Sequence, residues 1–461
     1  MPDRPSPARR RRPAGRSGRR GVLESPLSAT WRPATRETAV LVGAGPGMED
    51  GDLDELAALA DSAGAEPVAR VVQSRRDPDP ATFVGKGKLE ELHEAVHRTK
   101  ADAVIFDQEL SPGQLRNLEE RLGAKVVDRT AVILDIFALH ARSREGKAQV
   151  ELAQLNYLLP RLRGWGEAMS RMGGGIGTRR GPGETKLEID RQVIRRRITS
   201  LRRQIDQLRR TRQVKRSRRE ASGIPQVALA GYTNAGKSTM MNALTEADVL
   251  VADQLFATLD PTTRRLTLPG GRRVTLSDTV GFVSKLPHDL VEAFRSTLEE
   301  VTLAAMILHI ADASAADVEH QVRAVREVLH LIGAVDIPEV LALNKSDLLS
   351  EVERARVARR FPGAVLVSAL TGEGVEDLLA AMGETLPSPP VEVSLLLPHG
   401  RDDVVALLYR EAEVLERSDD EAGTVVRARV DDRLLPAVQP FLRAPVTTRA
   451  VAGARTGSQR R

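Results

Sequence analysis

Apolar positions between residues 37 and 128 fall in short runs at 39–42, 68–72, 103–106 and 126–127, each about the length of a strand. Between them, stretches around 53–63, 88–99 and 112–122 carry apolar residues at helical spacing. Strands alternating with helices predict a small parallel α/β layer over 37–128. Gly43-Ala44-Gly45-Pro46-Gly47 follows the first run and reads as a tight turn, since its proline and its spacing argue against a dinucleotide loop. Phe83-Val84-Gly85-Lys86-Gly87-Lys88 reads as a second Gly/Lys loop.

Over 129–222 the pattern is that of long helices. Asp128-Arg129-Thr130 can cap one that runs to about Leu159, and a second begins near Glu184. Ile194, Ile198, Leu201, Ile205 and Leu208 alternate by four and three, a coiled-coil-like seam whose natural partner is the preceding helix. The expected result is a hairpin. Its tip, Met172-Gly173-Gly174-Gly175-Ile176-Gly177-Thr178-Arg179-Arg180-Gly181-Pro182-Gly183-Glu184-Thr185, holds six glycines, and no acid occurs from Ala168 through Gly183. A helix hairpin needs only a few linking residues. The long, thin tip is therefore read as backbone that approaches a phosphate-rich surface, with Arg171, Arg179 and Arg180 supplying charge.

A further α/β unit is expected over 223–388. After Ser388-Pro389-Pro390, a small α+β unit follows over 389–446, with strands near 391–397 and 424–430 and helices near 401–413 and 431–442. The ends, 1–36 and 447–461, read as basic tails; eight of the first twenty residues are arginine, with little to bury. The fold class is thus multidomain α/β.

Composition narrows this picture. At 461 residues the chain exceeds one ordinary core. With aromatics at 3%, the cores must be aliphatic, and the absence of cysteine excludes disulfide scaffolds, cysteine-ligated zinc and thiol catalysis. No apolar run is long enough to span a membrane, and the charged N-terminus has no apolar segment of the kind a secretory signal needs. A cytoplasmic monomer is expected. Net charge is only +5, so distribution matters more than sum. Residues 191–219 contain thirteen Lys/Arg and one acid, Asp206. Such self-repulsion points to a polyanionic partner, and the scarcity of aromatics favours shape and phosphate recognition of structured RNA or DNA over base stacking.

The chemistry lies in 231–370. A strand pattern at 226–230 runs into Gly231-Tyr232-Thr233-Asn234-Ala235-Gly236-Lys237-Ser238, and a helix pattern follows from Thr239. This is G-x-x-x-x-G-K-S between strand and helix, the context of a phosphate-binding loop. Its backbone N–H groups and the helix N-terminus can cradle phosphates, Lys237 can reach the β/γ-phosphates, and Ser238 can ligate Mg²⁺. Asp278-Thr279-Val280-Gly281 follows a second strand pattern, 47 residues after Gly231. There Asp278 can hold magnesium through water, and the Gly281 N–H can meet the γ-phosphate. Asn344-Lys345-Ser346-Asp347 follows a third strand pattern. A carboxylate at Asp347 can accept from both N1–H and the exocyclic amine of guanine, a pair that adenine does not offer. Lys345 can lie over sugar and base, and Asn344 can tie this loop to the phosphate loop. Ser368-Ala369-Leu370 fits a last base-contacting loop, with the Ala369 N–H expected on guanine O6. These elements together predict GTP and GDP as ligands.

Between phosphate loop and Asp278 a threonine is wanted to close over magnesium, and Phe256-Ala257-Thr258-Leu259-Asp260-Pro261-Thr262-Thr263 supplies candidates. Where Ras-like enzymes carry a water-orienting glutamine, this chain has Phe282, so slow unassisted hydrolysis is expected. Asn234 is either a tolerated turn residue or, as in some GTPases, a residue associated with a potassium ion that replaces an arginine finger.

The sequence resembles the HflX family of ribosome-associated GTPases over roughly 37–440. The phosphate loop carries the resemblance, with Asp253-Gln254-Leu255-Phe256-Ala257-Thr258-Leu259-Asp260-Pro261, Asp278-Thr279-Val280-Gly281-Phe282, Leu286-Pro287-His288-Asp289-Leu290, the 83–88 loop and Gly181-Pro182-Gly183-Glu184-Thr185-Lys186-Leu187-Glu188. The resemblance implies that Thr258 is a magnesium-binding threonine and that Phe256 to Asp260 form a nucleotide-sensing switch. With Lys237 and Gly281, read above from their phosphate contacts, Thr258 completes the candidates for hydrolysis, and the resemblance implies a hairpin that reaches ribosomal RNA. It also implies a partner in the large ribosomal subunit and separation of stalled or idle ribosomes. The competing readings are a ribosome-assembly or RNA-remodelling GTPase and an RNA-binding scaffold that holds GTP structurally.

Overall fold

The computed structural model describes residues 36–162, 182–220, 224–245, 255–256, 262–269, 271–284, 290, 295–387, 391–420, 422–430, 434–443 and 447–448. Three sheets organise them.

The first sheet has the order β2-β1-β3-β4, all parallel, formed by β1 (Glu37–Gly45), β2 (Ala65–Ser74), β3 (Ala103–Phe106) and β4 (Lys125–Asp128). The helices α1 (Asp54–Ser62), α2 (Lys86–Thr99) and α3 (Pro112–Leu122) connect its strands. Two expectations are corrected here. Gly43 to Gly45 lie inside β1, with Met48 folded over Gly43 where any Cβ would stand, so the expected turn shrinks to Pro46-Gly47. Lys86 to Lys88 form the first turn of α2, so the expected loop shrinks to 83–85.

The helix expected to run to Leu159 is two helices, α4 (Arg129–His140) and α5 (Arg144–Arg161), because Ser143 caps a new start by accepting from the Gly146 N–H at 2.8 Å. Asp128 caps α4 as anticipated, accepting from the Ala131 N–H at 2.9 Å. Helix α6 (Pro182–Glu220) packs on α5 through Ala148, Leu155, Ile194, Ile198 and Leu201, and the Arg197–Glu151 pair clips the seam. The expected seam residue Leu208 lies beyond that cluster; one residue on, Arg209 pairs with Glu299 of the nucleotide unit. The Arg-rich 1–35 and the glycine-rich tip over 163–181 lie outside the described residues.

The second sheet has the order β10-β9-β8-β5-β7-β6. Its members are β5 (Gln226–Gly231), β6 (Thr263–Thr267), β7 (Arg273–Asp278), β8 (Met306–Asp312), β9 (Glu339–Asn344) and β10 (Val365–Leu366), parallel except for β6. Around it lie α7 (Lys237–Thr245), α8 (Arg295–Thr302), α9 (Val318–Leu331), α10 (Glu351–Arg360) and α11 (Val375–Thr385). Strands β5, β7 and β9 all end in loops that carry candidate site residues, as expected of an open sheet that binds ligands at its carboxyl edge.

The third sheet, antiparallel in the order β12-β13-β11-β14, comprises β11 (Val391–Leu397), β12 (Glu413–Asp420), β13 (Gly423–Val430) and β14 (Thr447–Thr448), with α12 (Asp402–Glu411) and the short α13 (Leu435–Val438). Strand β12 went unread because its exposed stretch Glu416 to Asp420 lacks an apolar alternation. The helix expected over 431–442 reduces to α13 and a 3-10 turn, since Pro436 and Pro440 interrupt it. Thr447 and Thr448, expected in a tail, pair with β11. No helix among the described residues is long and apolar enough to cross a membrane.

Candidate nucleotide site

The phosphate loop is built on β5, whose residues Val227 to Ala230 are fully buried. Helix α7 starts at Lys237, so its unpaired first-turn N–H groups face the loop. Gly236 has φ +90°, and a Cβ there would collide with the Asn344 amide. Asn234 takes φ +59° and is exposed, a conformation that asparagine tolerates. Thr233 is buried, and Thr239 follows Ser238 in the first turn of α7. Lys237 folds back so that its Nζ donates to Gly231 O at 3.1 Å and Tyr232 O at 2.7 Å. Burial pushes its pKa down to about 8, with Asp278 opposing the shift.

The Asp278 loop lies against the phosphate loop. Ser238 Oγ donates to Asp278 Oδ2 at 3.0 Å. Thr279 Oγ1 donates to Leu229 O at 2.5 Å. The Phe282 N–H donates to Gly231 O at 3.1 Å, and the Thr233 N–H donates to Phe282 O at 2.7 Å, so the two loops form a short parallel bridge. Gly281 sits where an added Cβ would stand 2.9 Å from Thr233 Cγ2 and 3.1 Å from Lys237 Nζ. The Phe282 ring is buried in the core of the unit among Tyr232, Met240 and Leu298.

Asn344 joins the base-side loops to the phosphate loop. Its Nδ2 donates to Ala235 O at 2.9 Å, and its Oδ1 accepts from the Ala369 N–H at 3.0 Å. That N–H was expected on guanine O6; it is occupied instead in joining the two loops. Ser368 Oγ donates to Asp347 Oδ1 at 2.6 Å, and Ser346 is buried beside them. Lys345, at φ +63°, pairs with Asp312 at 2.7 Å. Leu370 is 81% exposed, so its side chain contributes little to the loop. Ala257, Thr258, Leu259 and Asp260 lie outside the described residues.

Asp312 had escaped notice; it ends β8, an apolar run over 306–311 that supplied the available signal. Also unforeseen is a set of contacts to the first unit. Tyr232 Oη accepts from the Ser284 N–H at 2.7 Å, Glu55 binds Ser284, and Arg129 donates to Ser284 O at 3.0 Å. Val280, Val283, Leu290, Leu255 and Phe256 join the cluster formed by α1 and α4.

Comparison with known proteins places this geometry. Four family models match in series: "GTP-binding GTPase N-terminal" at residues 50–138, "GTP-binding GTPase Middle Region" at 140–219, "50S ribosome-binding GTPase" at 226–345 and "HflX C-terminal domain" at 352–435. The GTPase HflX of Caldanaerobacter subterraneus subsp. tengcongensis is 47% identical over 408 residues, 88% of this chain and 94% of the relative. This chain belongs to the HflX family of GTPases. The Escherichia coli HflX GTPase is 45% identical over 377 residues, 81% of this chain and 88% of the relative. A solved GTP-binding protein from Sulfolobus solfataricus in complex with GDP is 23% identical, with a TM-score of 0.40, and covers 76% of this chain and 98% of its own. HflX membership makes the loops at 231–238, 278–282, 344–347 and 368–370 candidate parts of one guanine-nucleotide site.

Proposed function

We propose that this HflX protein hydrolyses GTP and, under GTP control, binds the large ribosomal subunit and separates stalled or idle ribosomes into subunits. The observation that carries the reading is the union in one chain of loops joined through Asn344 and the basic helix α6. Its exposed Arg195, Arg196 and Arg203 lie on one polar face of the helix with Gln192, Thr199, Ser200, Gln204 and Gln207. The family model over 226–345, described as a 50S ribosome-binding GTPase, supports the choice of partner.

Asp347 would accept from the guanine edge, and Lys237 would exchange its loop carbonyls for β/γ-phosphate oxygens. The Gly281 N–H would meet the γ-phosphate, and Thr258 would close over it. The adjoining Ser238 hydroxyl and Asp278 carboxylate are hard oxygen donors that suit Mg²⁺, and Thr258 would complete the set. A bound magnesium ion would supply neutralisation of phosphate charge. The Phe282 ring, held in the core, cannot orient an attacking water, so turnover in isolation is expected to be low and to rise with ribosomes.

Sedimentation of purified ribosomes with the full chain and a non-hydrolysable GTP analogue tests this reading. Free subunits should accumulate; an unchanged fraction of intact ribosomes would rule it out.

A further inference from the structure

The contacts between the first unit and the nucleotide site converge on Ser284, three residues beyond Gly281. Glu55, on α1, accepts from the Ser284 N–H at 3.3 Å through Oε1 and from its hydroxyl through Oε2. Glu55 is itself held by Arg129 Nη2 at 2.6 Å, while Arg129 Nη1 binds Asp107 at 2.7 Å and Nη2 also donates to Ser284 O. Arg129 and Asp107 are almost fully buried, with side-chain exposures of 4% and 2%. The Ser284 N–H also donates to the hydroxyl of Tyr232, in the phosphate loop. One residue is thus gripped through N–H, hydroxyl and carbonyl, and its far contact is the phosphate loop itself.

Apolar packing makes a second attachment. The Leu255 N–H donates to Ser62 Oγ at 3.1 Å, and the Phe256 ring stands edge-on to Phe137 with centroids 4.7 Å apart. Phe256 holds φ +58°, a costly conformation for a bulky residue that persists only where its surroundings impose it. Both segments that would respond to a γ-phosphate therefore rest on the same α1/α4 face. A pair serving only to join two units has no need to seize backbone groups three residues past Gly281.

We propose that Glu55 and Arg129 are positioning residues for GTP: through Ser284 they set the placement of the Asp278-to-Phe282 loop against Tyr232 and Lys237. This rests on the reading of 231–370 as a GTP site. GDP lacks the γ-phosphate that Gly281 would meet, so loss of the grip discriminates between the two nucleotides.

Arg129 itself is a poor target, because its removal leaves Asp107 buried and uncompensated. Glu55→Gln and Ser284→Ala keep the shape and weaken the grip. In the full chain, binding of fluorescent GDP and of a fluorescent non-hydrolysable GTP analogue is measured, together with kcat, KM and thermal midpoint. Each variant should lower the GTP-to-GDP affinity ratio by roughly fivefold or more, with GDP affinity little changed and kcat reduced more than KM is raised. An unchanged ratio and kcat in both variants, whatever the thermal midpoint, would overturn the proposal. Failure of the unsubstituted chain to bind either nucleotide would overturn the site reading and the proposal together, and it is told apart because no substitution is needed to see it.

Discussion

Ser368 gives its hydroxyl hydrogen to Asp347 Oδ1 at 2.6 Å, which fixes the orientation of a half-buried carboxylate. An aspartate set in this way offers guanine two acceptor positions that an asparagine cannot reproduce. Asp347→Asn should move preference from guanine toward xanthine nucleotides, whose second ring carbonyl accepts the new N–H. The loss of GTP affinity should be on the order of 100-fold or more, because the amide keeps one acceptor for N1–H but sets its own N–H2 against the exocyclic amine, which loses its acceptor. Competition between GTP and xanthosine triphosphate for one fluorescent nucleotide measures it; retained GTP preference would remove Asp347 from the base contact.

Phe282 stands where a Ras-like enzyme has its glutamine, yet its ring belongs to the core. Phe282→Gln should therefore not create a faster enzyme. It buries an amide among aliphatic side chains, and a cost of about 2–5 kcal/mol is expected from poorer packing and an unpaired polar group. Chemical denaturation should show the loss, and GTP turnover without ribosomes should not rise. Accelerated turnover would mean that the residue-282 side chain can reach the nucleotide.

The strand-loop-helix order of the nucleotide unit was legible because Gly236, Lys237 and Ser238 are demanded by local chemistry at fixed spacing. The parallel sheet of the first unit was legible from its short apolar runs. The grip on Ser284 was not: Glu55, Arg129 and Ser284 are separated by up to 229 residues and carry no local pattern. The break between α4 and α5 was missed although apolar residues lapse over 142–147: α4 closes at its C-cap Ala141, and Ser143 supplies the cap that begins α5. The tie of Asn344 to the phosphate loop at Ala235 was legible, but the hold of its other end on Ala369 depends on tertiary placement that spacing does not encode.

Lys237 supplies a pH signature. Its folded pKa is about 8 against an ordinary 10.5, because burial penalises the ammonium more than Asp278 supports it. Between those values the unfolded chain holds a proton that the folded chain has released, so this group's contribution to stability rises with pH from about 8 and is lost below it. Urea denaturation of nucleotide-free protein at pH 7.5 and 9.5 should show a gain of about 2 kcal/mol that Lys237→Met abolishes. Identical pH dependence in the two proteins would show that the ammonium is not desolvated.

The arginines of α6 differ in what already neutralises them. Arg197 is held by Glu151 through two bonds at 2.6 and 2.7 Å, whereas Arg195, Arg196 and Arg203 lie on the exposed polar face of the helix. A polyanionic partner should release counterions chiefly from that face. Replacing Arg195, Arg196 and Arg203 with glutamine should weaken binding to large ribosomal subunits. It should also make the log–log salt dependence shallower by roughly 0.7–0.9 for each phosphate that is no longer neutralised. Arg197→Gln should change the slope less, since its charge is already paired, and should instead loosen the α5/α6 seam. Binding measured from low to moderate salt separates the cases. Equal slopes for the unsubstituted chain and the triple variant would place the RNA-binding surface elsewhere than this face of α6.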